Sequence, residues 1–329
     1  MKLIVNIPVY NEETGLGETI RVIRKSFKED FYSKMGGVIT EKLIQIVDDG
    51  STDRSVEIAK QEGVDIIISY KPNRRLAYSF KQAVESSLRN GADIMVNIDA
   101  DLQFDPYDIP KLLEPILAGR SDMVIANRFG KTKAKNIPFI QETLNKLAAN
   151  VIGFFLNYKT NDLTCGFRAH NRETLLRLNL TNVNFTYTQE TIIDAIGKNL
   201  KLEWIPVPVT YFDNREAKIT KSIFKFVNNS TKIILKAIRD VRPLKFFGWP
   251  GMFLLAIGLI GFGDFFFHYL QDLKVTPYLN YIVFSSISLL LGIQLIIFAL
   301  LADMVKSSRQ LTEELLYQWK KDKYEKKNL

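Results

Sequence analysis

The chain has one cysteine, Cys165, and two histidines, His170 and His268, among 329 residues. A single thiol excludes an internal disulfide and fits a reducing compartment. Cys165 reads as a small packing residue and not as a nucleophile. Neither histidine has a partner at metal-ligand spacing, so no zinc-type site is expected and neither is assigned any chemistry. Internal repeats and low-complexity tracts are absent. Leu3 to Val9 is too short, and too soon followed by polar residues, to read as a signal peptide.

Long apolar runs are missing from the first two thirds and crowd into the last. One runs from Phe246 to Phe267, broken by Asp264 near its far end, and a second from Tyr278 to Ala302. Each reaches the roughly 20 residues that a helix needs to cross a bilayer. Two spans are too few to predict a pore. The formal charge of +8 is also uneven. Residues 1–214 carry 27 basic and 27 acidic side chains, whereas residues 215–245 carry nine basic against two acidic. In that stretch Lys218, Lys221, Lys225, Lys232, Lys236 and Arg239 share one helical face, opposite Ile219, Ile223, Phe226, Ile234 and Ile238. This is the pattern of a helix lying on an anionic membrane surface. Seven further Lys and Arg follow Ala302. The positive-inside rule then places the large domain and both termini on the cytoplasmic side of the plasma (inner) membrane. The expected organisation is a catalytic domain over 1–214, a basic amphipathic segment over 215–245, a two-helix transmembrane hairpin over 246–302 and a charged helical tail over 303–329.

Within the first region strands alternate with helices. Lys2 to Pro8, Leu43 to Val47, Val64 to Ser69, Ile94 to Ile98 and Asp122 to Ala126 read as strands, with helices over Glu12–Lys28, Arg54–Glu62, Ala77–Asn90 and Gln141–Asn157. Leu202 to Tyr211 reads as a late strand, and Pro206 and Pro208 place it at an edge. This alternation predicts an α/β fold with a mostly parallel sheet, whose ligands gather at the carboxyl ends of the strands.

Asp99 and Asp101 stand at such an end, with Gln103 two residues on. Three oxygen-bearing side chains there suit a hard cation, Mg²⁺ or Mn²⁺, bridging a diphosphate. Four segments occur in order: Ile7-Pro8-Val9-Tyr10-Asn11-Glu12-Glu13, Val47-Asp48-Asp49-Gly50-Ser51-Thr52-Asp53, Asn97-Ile98-Asp99-Ala100-Asp101-Leu102-Gln103 and Cys165-Gly166-Phe167-Arg168-Ala169. In these the chain resembles the family-2 glycosyltransferases of the GT-A fold, and within them the polyprenyl-phosphate (dolichol-phosphate) sugar synthases. The resemblance implies that Pro8, Tyr10, Glu12 and Asp49 hold the donor nucleotide, that Asp99, Asp101 and Gln103 hold the metal, and that Arg128 and Arg168 grip the acceptor phosphate. Arginine suits that grip because its planar fork meets phosphate oxygens bidentately. Arg215 and Ser222 resemble the family's acceptor-side loop more loosely. The family's usual Gly-rich stretch reads Asn73-Arg74-Arg75-Leu76-Ala77 here.

The Gln-x-x-Arg-Trp signature of processive synthases is absent, and Glu190 lacks the Glu-Asp pairing typical of a catalytic carboxylate there. A lipid phosphate, already an anion, needs no base to attack. The expected reaction is therefore a single inverting transfer of a sugar from a nucleotide-diphosphate sugar to a polyprenyl phosphate. The alternative is transfer to a lipid or saccharide hydroxyl with Glu190 as base. A scaffold that kept the fold and lost its chemistry is the non-enzymatic alternative, and the intact metal and arginine positions argue against it. The membrane is an expected partner, a homo-oligomer is compatible with the sequence, and no nucleic acid is expected.

Overall fold

The computed structural model describes residues 1–29, 31–32, 38–129, 139–180, 187–210, 231–232, 235 and 238–325. The chain divides into two compact units, one of Met1–Ile234 with Leu315–Leu329 and the other of Leu235–Glu314.

The first unit alternates as expected: β1 (Lys2–Val9), α1 (Leu16–Ser26), β2 (Glu41–Asp48), α2 (Ser55–Gln61), β3 (Ile66–Ser69), α3 (Leu76–Arg89), β4 (Ile94–Asn97), α4 (Ile109–Leu117), β5 (Met123–Asn127), α5 (Phe139–Leu156), β6 (Arg168–Asn171), α6 (Arg172–Arg177), α7 (Tyr187–Gly197) and β7 (Leu202–Pro206). The strands form one seven-stranded sheet in the order β3-β2-β1-β4-β6-β5-β7. Pairings β1–β2, β1–β4, β2–β3 and β5–β7 are parallel, while β6 runs antiparallel to both β4 and β5. Leu3, Ile4, Val5 and Ile7 of β1 and Met95 and Val96 of β4 are fully buried, as central strands covered on both faces require. β7 takes the edge, with Pro206 as its last residue. β6 was not predicted: four residues, Arg-Ala-His-Asn, carry no alternating pattern, and only the slot between β4 and β5 makes them a strand.

Because the chain leaves β1 toward β2 and β3 and returns to the other side as β4, the order reverses between β1 and β4. That reversal opens a crevice at their carboxyl ends. Beneath it, a row of buried amides crosses three strands. Gln45 Nε2 donates to Asn6 Oδ1 (3.0 Å) and Asn6 Nδ2 to Asn97 Oδ1 (2.7 Å). Asn97 Nδ2 then reaches Gly166 O (3.2 Å) and the Tyr187 hydroxyl (3.4 Å). The three amides lie at matching register positions, so each bonds to the next across the sheet.

The second unit is built on α8 (Pro243–Asp272) and on α9 (Leu279–Glu325) as far as Glu314. Both are long and apolar enough to cross a membrane. The expected spans thus lie inside longer helices, and the expected tail is continuous with the second one to Glu325. The two helices meet along small residues. A Cβ on Gly258 would stand 2.6 Å from Leu289 Cγ, and one on Gly292 would stand 2.9 Å from Gly251 O. Such close backbone approach is the usual contact between helices in lipid. Large side chains turned away from this seam, among them Phe253, Ile260 and Leu290, are exposed, which suits a hydrocarbon surround. Most of the basic segment, including Lys218, Lys221, Arg215 and Ser222, lies outside the described residues.

Gly258→Leu is expected to lower the thermal stability of the detergent-solubilised protein, while the outward Ile260→Leu leaves it unchanged, as checked by a melting curve. His170, fully buried on β6 with its ring 5.6 Å from that of Phe80, has its pKa pushed down to about 3, first by burial and then by the charge of Arg168. Its contribution is complete above the unfolded value near 6.5 and is lost as pH falls from there toward 3, by up to about 1.4 kcal/mol per pH unit. Chemical denaturation between pH 7 and 5 should show a shallower decline in His170→Leu than in the parent.

Candidate active site

The loop after β4 carries Asp99-Ala100-Asp101 into the crevice and is held from both sides. The Thr19 hydroxyl donates to Ala100 O at 2.8 Å, and a Cβ on Gly15 would stand 3.2 Å from the same oxygen. The start of α1 therefore abuts the loop and fixes its height. Leu102 adopts the left-handed backbone conformation (φ 56°), which costs a β-carbon-bearing residue about 1 kcal/mol or more. It allows the Gln103 amide to turn back and donate to Asp101 Oδ1 at 3.1 Å. Gln103 O in turn accepts from Thr210 N (3.0 Å).

On the other side Gly166 faces the Asp99 carboxylate. An ideal Cβ there would lie 3.1 Å and 3.3 Å from its two oxygens, so glycine makes room for that group. Burial, and next the charge of Asp101, push the Asp99 pKa up to about 7; Arg128 pulls it back, Glu12 adds to the rise, and Arg168 opposes it more weakly. A pair of carboxylates in which one resists ionisation beside the other is under-supplied with positive charge. Among the described residues no group of three or more His, Cys, Asp and Glu gathers to enclose a metal. Two carboxylates with Gln103 beside them are of the chemistry that could hold a hard divalent cation completing its shell with ligand and water oxygens.

The expected nucleotide residues line the carboxyl ends of β1 and β2. Asp48 ties its loop, accepting from Ser51 N (2.9 Å) and the Ser69 hydroxyl (2.6 Å). Asp49 is buried and accepts from Arg74 N at 2.7 Å. Gly50, at φ 80°, passes so close to the next loop that a Cβ would stand 3.0 Å from Tyr70 O. Pro8 is half-buried and the Tyr10 ring is exposed. The Glu12 amide is fixed by the Ser55 hydroxyl (2.9 Å). Arg74 stacks on Tyr78 at 4.9 Å and donates to its hydroxyl (3.1 Å).

The two arginines differ from each other. Arg128, just after β5, forms a two-pronged pair with Asp162: Nε to Oδ2 at 2.7 Å and Nη2 to Oδ1 at 2.9 Å. Nη2 also donates to the Thr164 hydroxyl. Asp162 is fully buried, and its loop is braced by Asn145 of α5, whose side chain meets Leu163 N and Asn161 O. Arg168 is fully buried as well. Its Nε donates to Cys165 O (2.7 Å), Nη1 to Thr188 O (2.8 Å) and the Thr191 hydroxyl (2.7 Å), and Nη2 to Leu163 O (3.2 Å). These bonds spend the guanidinium on the loop that presents Gly166 and on the first turn of α7. The phosphate grip expected of Arg168 is therefore not what this arrangement provides; the residue is a brace. Glu190 lies in that same first turn.

Asp162, Thr19, Asn97, Gly166 and Tyr187 form the supporting shell, and sequence reading missed their roles. Gly166 and Asn97 lie inside two of the four family-like segments, so only their partners are hidden from the sequence. Asp162 carried no local signal beyond an acid near Cys165.

A mostly parallel sheet with an Asp-x-Asp loop at its point of reversal defines a glycosyltransferase of GT-A architecture. Residues 4–178 match glycosyl transferase family 2, and the chain belongs to that family. It is 31% identical to an uncharacterized protein of Methanocaldococcus jannaschii over 72% of this chain and 91% of that one. It is 29% identical to the dolichol-phosphate mannosyltransferase of Pyrococcus furiosus (71% and 64%). To the UDP-N-acetylglucosamine–dolichyl-phosphate N-acetylglucosaminyltransferase of Methanococcus voltae it is 27% identical (67% and 90%). Among solved structures, glucosyl-3-phosphoglycerate synthase of Mycobacterium tuberculosis, in complex with Mn²⁺ and UDP, shares the fold with a TM-score of 0.52 at 18% identity, over 71% of this chain and 79% of that one. The protein is thus a family-2 glycosyltransferase related to polyprenyl-phosphate sugar transferases.

Asp162→Ala removes the carboxylate from the buried ion pair with Arg128, and is expected to destabilise the protein by about 3–5 kcal/mol in chemical denaturation.

Proposed function

We propose that the chain transfers a sugar from a nucleoside-diphosphate donor to the phosphate of a polyprenyl phosphate, in one inverting displacement at the cytoplasmic membrane face. The observation that carries this is the Asp99–Asp101 pair, short of positive charge, set at the sheet's reversal opposite Arg128. Relatives named for transfer to dolichyl phosphate support the acceptor class.

Asp99 and Asp101, with Gln103 beside them, would hold Mg²⁺ or Mn²⁺, which supplies positive charge against the departing diphosphate. The chain's own residues do the remaining work. Pro8, Tyr10, Glu12 and Asp49 bind the nucleotide at the ends of β1 and β2, with the exposed Tyr10 ring offering a stacking face to the base. Arg128 supplies fixed positive charge on the acceptor side, and Asp162 keeps its fork in one orientation, so no reorganisation is needed when phosphate arrives. Arg168 holds Gly166 and the first turn of α7 in place, so its part is positioning. Attack by a phosphate oxygen needs no proton removed, and Glu190 then has no obligatory role. The excess of Lys and Arg in residues 215–245 and after Ala302 supports the cytoplasmic orientation and draws the site to an anionic surface. Arg215 and Ser222 remain assigned to the acceptor-side loop.

The test is a screen of UDP-sugars and GDP-mannose with a polyprenyl phosphate in detergent containing Mg²⁺ or Mn²⁺, followed by variants with the active donor. Asp101→Ala is expected to cut turnover roughly 100-fold or more, whereas Glu190→Gln retains it. Full activity in Asp101→Ala sinks the mechanism. Loss of turnover in Glu190→Gln, together with transfer to a hydroxyl acceptor, shifts the assignment to the base-catalysed alternative.

A further inference from the structure

The residues Leu315–Glu325 are the last turns of α9, and they belong to the same compact unit as the sheet. Tyr317, Lys320 and Tyr324, spaced i, i+3 and i+7, fall on one helical face. The Tyr317 hydroxyl donates to Glu173 Oε2 at 2.9 Å, and the Arg177 guanidinium lies 4.1 Å over its ring. Tyr324 is buried, and its carbonyl accepts from Arg172 Nη2 at 3.5 Å. Between them, Lys320 Nζ donates to Leu176 O (3.2 Å), Leu178 O (2.9 Å) and Asn179 Oδ1 (2.8 Å).

Leu176 O is one of the carbonyls that a helix leaves unsatisfied at its carboxyl end, where the dipole also favours a cation, and Leu178 O and Asn179 Oδ1 follow directly after that end. α6 has no glycine there to close the turn; Leu178 is already extended. Its end is closed by two lysines, Lys320 from the tail and Lys198, which donates to Arg177 O at 2.7 Å. Lys198 follows α7 directly and pairs with Asp194 of that helix (2.8 Å), whose Oδ2 also accepts from Asn179 N (3.1 Å). The cluster therefore clamps α6 to α7. At its other end α7 supplies Thr188 O and the Thr191 hydroxyl to Arg168, and Tyr187 to Asn97.

We propose that Lys320 is a positioning residue for the active site: the tail caps α6, the cap fixes α7, and α7 holds Arg168 and thereby the loop that sets Gly166 against Asp99. The claim that this matters for turnover rests on the acceptor reading above, but the structural link does not. Hydrogen–deuterium exchange on the full-length, detergent-solubilised protein is the first arm. Lys320→Ala should raise exchange at the carboxyl end of α6 and along α7 roughly tenfold, with β1–β3 unchanged, and Lys320→Arg should restore protection. Kinetics with a polyprenyl phosphate acceptor form the second arm: kcat should fall in Lys320→Ala while the KM for the nucleotide sugar holds, and Lys320→Arg should recover it. Unchanged exchange in α7, or acceleration spread through the whole sheet, overturns the proposal. If the parent shows no transfer to polyprenyl phosphate, the acceptor reading fails and the exchange arm still decides this one.

Discussion

Two carboxylates held close together in a partly desolvated crevice are the constraint on which the rest of the catalytic unit depends. Asp99 cannot relax away from Asp101, because Thr19 and Gly15 pin Ala100 from one side and Gly166 stands against its oxygens on the other. The cost appears as a pKa pushed up to about 7. Such an arrangement persists only where surrounding structure over-determines it, and it suits a positively charged ligand. Positive charge is accordingly built in nearby, in Arg128 and Arg168, and each of these cations is compensated before any substrate binds.

The compensation follows two different physical routes. Arg128 pairs bidentately with a buried carboxylate, so its orientation is set by charge. Arg168 is satisfied by carbonyls and a hydroxyl, which fix it without neutralising it, and burial presses its pKa down. One arginine is therefore oriented by a buried carboxylate, and the other joins the Cys165-Gly166 turn to α7. Through α7 the same network reaches the lysine cluster at the end of α6, and there the tail residue Lys320 enters. The row of amides through Gln45, Asn6 and Asn97 carries the opposite wall from β2 to the same turn. Both networks end at the turn that carries Gly166, whose lack of a side chain lets the loop approach the Asp99 carboxylate.

Much of this was legible from residue order. The alternation of apolar runs and helical periods identified β1 to β5 and the edge strand β7, because each strand in a parallel sheet is a short buried run with a helix after it. The Asp-x-Asp loop could be located because its position follows directly from the end of β4. The antiparallel β6 could not: its four residues become a strand only by filling the space between two others. Arg168 illustrates the same limit. Gly-Phe-Arg read as a ligand-facing motif, yet a motif says nothing of which way a guanidinium turns or how many acceptors lie within its reach.

By itself, the sequence determined the fold class, two apolar segments long enough to span a bilayer, the place of the acidic pair and the family to which the chain belongs, since all four rest on local periodicity, composition or contiguous motifs. The tertiary structure alone decided which charges are paired, which are buried and which distant residues complete a helix end. Asp162 meets Arg128 from 34 residues away and Lys320 meets Leu178 from 142. Contacts at that separation depend on how the sheet folds the chain back on itself, and desolvation, which decides the behaviour of Asp99 and His170, exists only once the surrounding core has formed.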